Sequence, residues 1–160
     1  MSQDKTLSPV AAFTISLLGK RSEHVLTIPG RLPGLNEYTS ACRANHMAGA
    51  QMKQDSQDII LWAIRAKMRR VRFEKPVFIL FTFYEKDKRR DRDNVASYAR
   101  KVIQDALVKA GVLEDDGWDY VTGYLDRFEV DKKNPRIVVE FIEQEVAAPC
   151  SKRQSKSSKK

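Results

Sequence analysis

Cysteine, histidine and glycine are all scarce in this chain, at two, two and seven residues of 160. Cys42 and Cys150 are too few and too far apart for a disulfide framework, which points to a reducing cytosol. Neither has a Cys or His neighbour at ligand spacing, so a zinc site is not expected. His24 and His46 stand alone, as polar surface residues rather than catalytic ones. The glycines are scattered, so no glycine-rich loop is available to cradle a nucleotide phosphate. Long apolar runs are missing too, and nothing approaches the roughly 20 residues of a membrane span. The apolar stretch Val10–Leu18 is interrupted by Thr14 and Ser16 and has no small-residue cleavage signature. It reads as a strand rather than a signal peptide. No internal repeat is present.

Positive charge is abundant. The formal net charge is +8 and the pI about 9.6, which makes a polyanion the first partner to consider. The charge is unevenly spread, however. Lys152, Arg153, Lys156, Lys159 and Lys160 carry five of those charges on the last ten residues, leaving +3 for the rest. That serine- and lysine-rich end has nothing to bury and is expected to be disordered. It either adds non-specific affinity or aids solubility. The length favours a single domain. We expect a flexible N-terminus over 1–8, a folded domain over 9–145 and a basic tail over 146–160.

Hydrophobic periodicity predicts an α+β domain with a mixed sheet packed against helices, in the order β-β-α-β-α-β-β. Alternation at Phe13, Ile15 and Leu17, then Val25–Ile28, predicts two short strands around Gly19-Lys20. Pro29-Gly30 and Pro33-Gly34 open a loop, and one long helical region then runs to about Arg70. In it Met52, Ile59, Ile60, Ala63 and Ile64 lie near one face. Val77–Tyr84 is a near-continuous β-prone run, expected as a central strand covered on both faces. Val95, Ala99, Val102, Ile103, Ala106, Leu107 and Ala110 define a helix capped by Asp93 or Asn94 and stopped by Gly111. Tyr120–Val130 and Arg136–Ile142 are the last strands, with the turn Lys132–Pro135 between them.

The chemistry concentrates around that helix. Asp91 and Asp93 sit two apart at its start, and Glu114-Asp115-Asp116 follows its end. Carboxylates converging from a strand end and the next connection form a hard oxygen set, suited to Mg²⁺ with Mn²⁺ as a substitute. Lys86, Lys88, Arg89, Arg90 and Arg92 surround the first pair. Acid for a metal, ringed by base for a polyanion, suggests metal-assisted chemistry on phosphates. Taken alone, Asp-x-Asp is more often a helix cap held by neighbouring arginines, and a charged run more often a solvated loop. Lys101 lies off the core stripe, and helical side chains lean toward the N-terminus. Its ammonium is therefore expected to reach back toward the aspartates. Asp87 and Asp105 read as partners of nearby lysines, and Trp118 as packing beside the acidic loop.

Arg90–Asn94, Lys101 with Asp105–Leu107, Lys109–Gly111 and Asp115-Asp116 together resemble the RusA family of Holliday-junction resolvases. Pro33–Tyr38 is similar to that family's early proline–asparagine–tyrosine motif, and Val130–Arg136 to the strand turn of phage-type members. The similarity runs from about Leu26 to Phe141. It implies a RusA-like fold and a homodimeric, Mg²⁺-dependent endodeoxyribonuclease that resolves four-way DNA junctions by paired incisions, in a bacterial or phage-infected cytoplasm. It further implies Asp91, Asp93 and Asp116 as metal ligands and catalytic residues, and Lys101 as the catalytic lysine. Lys86, Lys88, Arg89, Arg90, Arg92 and Asn36 are the candidate DNA contacts. Six residues separate Asn94 from Lys101, four more than in the shorter family form, so Arg100 is the alternative to Lys101. Asp115 is the alternative to Asp116. Asn36 and Tyr38 serve either the DNA face or a turn and the core. Two other readings remain: a non-catalytic DNA-binding protein on the same scaffold, and a phosphate-ester enzyme using Asp-x-Asp. Apolar residues over Val10–Ile28 and along the helix ending near Arg70 are the candidate dimer surface.

Overall fold

A run such as Val77–Tyr84, apolar on both of its faces, needs strand neighbours on each side and cover above. In the computed structural model, which describes residues 19–145, it becomes β2 (Val77–Glu85). The other strands are β1 (Lys20–Pro29), β3 (Val121–Val130) and β4 (Arg136–Glu143). They form one mixed sheet in the order β1-β4-β2-β3. β4 is antiparallel to both β1 and β2, whereas β3 runs parallel to β2. The turn between β3 and β4 therefore crosses the end of β2 instead of closing a hairpin. It is tied there by Asp131 N–H donating to the Glu85 carbonyl at 2.8 Å and by Gly30 N–H donating to the Pro135 carbonyl at 3.0 Å.

One sheet face carries Leu26, Ile28, Ile79, Phe81, Phe83, Ile137, Val139 and Phe141, all buried in the main core with residues of the helices. The other face has a small separate cluster of Leu80, Ile142 and Phe78 that includes no helix residue. The expectation of a central strand holds, with the helices packed on one side. The described chain is thus an α+β unit with a four-stranded mixed sheet and three helices. No helix among the described residues is long and apolar enough to cross a membrane. Residues 1–8, the expected strand Val10–Leu18 and the basic tail 146–160 lie outside the described residues. Lys20, expected in a turn, instead begins β1.

The single long helix expected before Arg70 is two: α1 (Leu35–Ala44) and α2 (His46–Lys67). Asn45 between them is extended, at φ −160° and ψ 128°. Its side-chain oxygen accepts the Met47 N–H at 2.9 Å, the local bond that lets a new helix start. Gly49 permits the fold-back, since a Cβ there would lie 2.3 Å from Cys42 Sγ. Along α2, Ile60, Ala63 and Ile64 are buried as expected, but Ile59 is exposed. The third helix, α3 (Arg92–Lys109), buries Val95, Ala99, Val102, Ile103, Ala106 and Leu107 as predicted; Ala110 stays exposed. Gly111 follows with φ +76°, the left-handed conformation a helix stop requires.

Candidate metal and nucleic-acid site

The helix cap is the first correction to the sequence reading. Asp91, not Asp93 or Asn94, precedes the first helical residue, and its carboxylate makes no cap hydrogen bond. The reason is competition. Asp93 Oδ1 accepts from Ser97 Oγ at 2.9 Å. Asn94 Oδ1 accepts from the Asn36 backbone N–H at 2.8 Å. The second bond joins segments 58 residues apart. It is close enough that a Cβ on Gly34 would lie 2.7 Å from the Asn94 amide nitrogen. The Pro33–Tyr38 motif and the Arg90–Asn94 motif therefore meet in space. Asn36 contributes its backbone to that joint, and its side chain is exposed. Tyr38 packs on Tyr98 with ring centroids 4.9 Å apart, as part of the helix contact.

The basic run divides sharply. Arg90 is only 15% exposed in its side chain and donates to Glu85 Oε1 at 3.0 Å. It also donates to the Leu32 carbonyl at 3.0 Å. Arg31 donates to the other oxygen, Glu85 Oε2, at 2.9 Å. Glu85 is itself buried at the end of β2. Two arginines sharing one buried carboxylate form a structural knot that ties the β1–α1 loop to the β2–α3 loop. Lys86, Lys88, Arg89 and Arg92, by contrast, are exposed. Arg92 lies 5.5 Å from the Phe128 ring centroid, beside a cleft of about 560 Å³ lined by Asp87, Lys88, Asp91, Phe128 and Glu129 among others.

Lys101 and Arg100, alternatives in the sequence, also diverge. Arg100 is ion-paired with Asp126 and stacks over Tyr124 at 4.5 Å, clasping α3 to the edge strand β3. Lys101 stays 62% exposed and bonds Asp116 Oδ2 at 2.8 Å. It bonds Asp105 Oδ1 at 2.7 Å, and Lys53 reaches the same residue's Oδ2 at 2.9 Å. Hydrogen bonds to Asp105 and then Asp116 hold the Lys101 ammonium well above its usual range. Burial alone would raise Asp105, but the bonds from Lys101 and Lys53 outweigh it and hold this carboxyl low. Lys101 is thus held in its cationic form by two carboxylates.

Its direction differs from expectation. The ammonium points to Asp105 and Asp116 rather than back to Asp91 and Asp93. Eight residues of helix between Asp93 and Lys101 correspond to roughly 12 Å along the axis. Asp116 therefore belongs to the middle of α3, and the Asp91–Asp93 pair to its start. Among the described residues no three carboxylate, histidine or cysteine side chains cluster closely enough to hold an ion. The acid that does face the N-terminal half is Asp126, which sequence reasoning missed. Burial pushes its carboxyl up, Arg100 pulls it down, and the charge of nearby Asp93 pushes it up again. Its Oδ1 is buried with no hydrogen-bond partner. In the sequence it was one of two acids, with Glu129, in an otherwise ordinary strand, and nothing local marked Arg100 as its partner.

An orphaned acidic oxygen near a second acid is chemistry that a divalent cation relieves. Asp91 and Asp93 are exposed carboxylates, and Mg²⁺ takes one or two carboxylates and keeps several waters. The oxygens at the start of α3 are thus of the donor class that Mg²⁺ takes. Comparison with known proteins finds no matching family model and no matching curated protein.

Proposed function

We propose that this chain is a Mg²⁺-dependent endodeoxyribonuclease that resolves four-way DNA junctions, working as a homodimer in the cytoplasm, as its resemblance to the RusA family implies. The observation that carries the reading is the joint at Asn94. Two of the segments that make the resemblance, remote in sequence, come together at the N-terminal end of α3 beside Asp91, Asp93 and the exposed Arg89 and Arg92. Asp91 and Asp93 would hold the divalent ion, which when bound supplies Lewis-acid polarisation of the phosphodiester.

The remaining steps belong to the chain. Arg89, Arg92, Lys86 and Lys88 bind the phosphates on either side of the cut and set the strand's register. Lys101, cationic and turned toward Asp105 and Asp116, would swing back along α3 to stabilise negative charge developing at the Asp91–Asp93 end. Asp116 holds Lys101 in its cationic form, a role that differs from the direct ligation the resemblance implies. A four-way junction has approximate two-fold symmetry, so paired incisions call for two sites on a C₂ dimer. Val25 on β1 and Ile59 on α2 are exposed apolar surface for that contact.

The test is nicking of a synthetic four-way junction against linear duplex of the same sequence, with and without Mg²⁺. Metal-dependent cuts confined to the junction are expected, placed symmetrically and made in one binding event by a species of about twice 18.3 kDa in light scattering. Equal rates on duplex, or a monomer releasing singly nicked junction, contradict junction resolution. Tight junction binding with no cleavage in Mg²⁺ or Mn²⁺ assigns the scaffold to non-catalytic DNA binding.

A further inference from the structure

Trp118 was expected to pack beside the acidic loop, yet it is 96% exposed, the most exposed large apolar side chain among the described residues. Leaving an indole in water forfeits the burial that usually justifies one. Its surroundings suggest a use. Trp118 stands at the rim of an open cleft of about 470 Å³, lined also by Gln104, Asp116, Val121, Thr122, Gly123 and Tyr124. Tyr124, half exposed and with Arg100 seated on its ring, is a second aromatic side chain in that lining. Gly123 lines the cleft with backbone alone, since a Cβ there would point to the opposite sheet face, 2.8 Å from the Phe78 ring. The polar groups at the edge are an amide, a hydroxyl and a carboxylate. Asp116 uses Oδ2 for Lys101, leaving Oδ1 to accept from a ligand.

We infer that this cleft is a binding site for one unpaired nucleobase, stacked on Trp118 and held at its edge by Gln104 and Asp116. The inference rests on the nucleic-acid reading above. A flat heteroaromatic ring can stack on the exposed indole at the rim of the cleft, and every base has a face to stack. An amide beside a carboxylate suits a base edge that carries an exocyclic amino donor. Charge decides the orientation. Asp115 and Asp119 flank Trp118 in the chain, so the loop repels phosphate and admits a strand base first. The sugar–phosphate is turned outward, toward the exposed Lys101. A stacked duplex has no base face to offer, whereas single strands and the opened centre of a branched junction do.

Trp62 and Trp118 are the two tryptophans of the chain, so Trp62→Phe, which keeps an aromatic ring at an exposed site, makes Trp118 emission a direct reporter. The probes are a fluorescently labelled oligodeoxycytidylate single strand and a blunt duplex of equal length, with binding followed independently by anisotropy. Trp118 emission is expected to be quenched by the single strand and unaffected by the duplex. Trp118→Ala is expected to weaken single-strand binding about tenfold, within the range for losing one base–aromatic stack. Trp118→Phe should stay within about threefold of the parent, and the exposure of this residue means none of these variants threatens the fold. Saturating single strand that leaves the emission unchanged overturns the inference, as does unaltered affinity in Trp118→Ala or no single-strand binding at all. An emission change that follows protein concentration without DNA also overturns it, assigning Trp118 to a contact between copies. Because binding is read apart from cleavage, a protein that cuts junctions with no quenching loses only the base site. One that quenches without cutting loses only the nuclease.

Discussion

Two ion networks in this molecule are built from the same residue types and behave as opposites. At the end of β2, Glu85 joins Arg31 and Arg90 out of water. On α3, Lys101 joins Asp105 and Asp116 with its ammonium largely in solvent. The first spends both Glu85 oxygens on its two arginines and is mostly buried, although Glu85 and Arg90 also border the cleft beside Asp91. The second leaves a cation accessible on the helix that begins with Asp91 and Asp93. Burial, more than charge, separates architecture from chemistry here. Arg89 and Arg90, adjacent in sequence, fall on different sides of that line.

The largest expected effect tests whether the start of α3 is the chemical end of the molecule. Asp91→Asn and Asp93→Asn should each reduce junction cleavage about a thousandfold or more, since metal-assisted polarisation supplies several kcal/mol. Junction binding should persist or tighten, because removing negative charge eases phosphate approach. Single-turnover cleavage and gel-shift affinity measured on one preparation check both halves. Near wild-type cutting by either variant at saturating Mg²⁺ removes that residue from the site. The next effect belongs to the buried network. Glu85→Ala strands two arginines and should lower stability by about 3 kcal/mol in urea unfolding. Arg90→Ala should cost less, because Arg31 still compensates Glu85. If both variants unfold like the parent, the network is not enclosed in solution.

How much of this contrast was legible beforehand follows from the kind of interaction involved. Patterns of period two and 3.6 depend only on near neighbours, so β2, β4 and the core stripe of α3 could be read directly from Val77–Tyr84, Arg136–Ile142 and Val95–Leu107. The break at Asn45 was missed because no Gly or Pro marks it; one asparagine side chain bonding Met47 decides it. The partners of Arg90 and Arg100 are set by topology. β3 lies parallel to β2 on the sheet edge, which brings Asp126 under α3, and no local pattern encodes that placement. The same limit applies to Lys101. Its position on an open helix face was predictable, but the loop that brings Asp116 to it was not.

Lys101 is the intermediate case. Lys101→Ala should lower the cleavage rate about a hundredfold if its charge faces the transition state, with Lys101→Arg recovering part of the loss. The pH dependence has a definite sign. A folded-state lysine raised above the ordinary value near 10.4 keeps its stabilising ion pairs fully below that value and loses them only as pH rises through the higher folded one. Asp105, held low, keeps its contribution above the ordinary carboxylate value and loses it as pH falls through its depressed one. Cleavage should therefore show no decline traceable to Lys101 below about pH 10. An alkaline fall near neutrality that vanishes in Lys101→Arg would mean the ammonium is not held by its two carboxylates.

The smallest effect separates neighbours in the basic run. Each phosphate contact contributes about 0.9 to the slope of log affinity against log salt on duplex arms, or roughly threefold in affinity between 50 and 200 mM. Arg89→Ala and Arg92→Ala should each flatten that slope by about 0.9, because both side chains lie in solvent near the start of α3. Arg90→Ala should leave the slope unchanged even though it removes the same formal charge, since its guanidinium is already committed to Glu85 and the Leu32 carbonyl. The stability loss of Arg90→Ala is read separately by urea unfolding, so weaker binding through partial unfolding is distinguishable from a lost contact. The basic tail is common to all three variants and cancels in the comparison. A slope reduced equally in all three would show that Arg90 leaves its buried partners when DNA arrives, and that the β2 network is a reserve of phosphate contacts rather than fixed architecture.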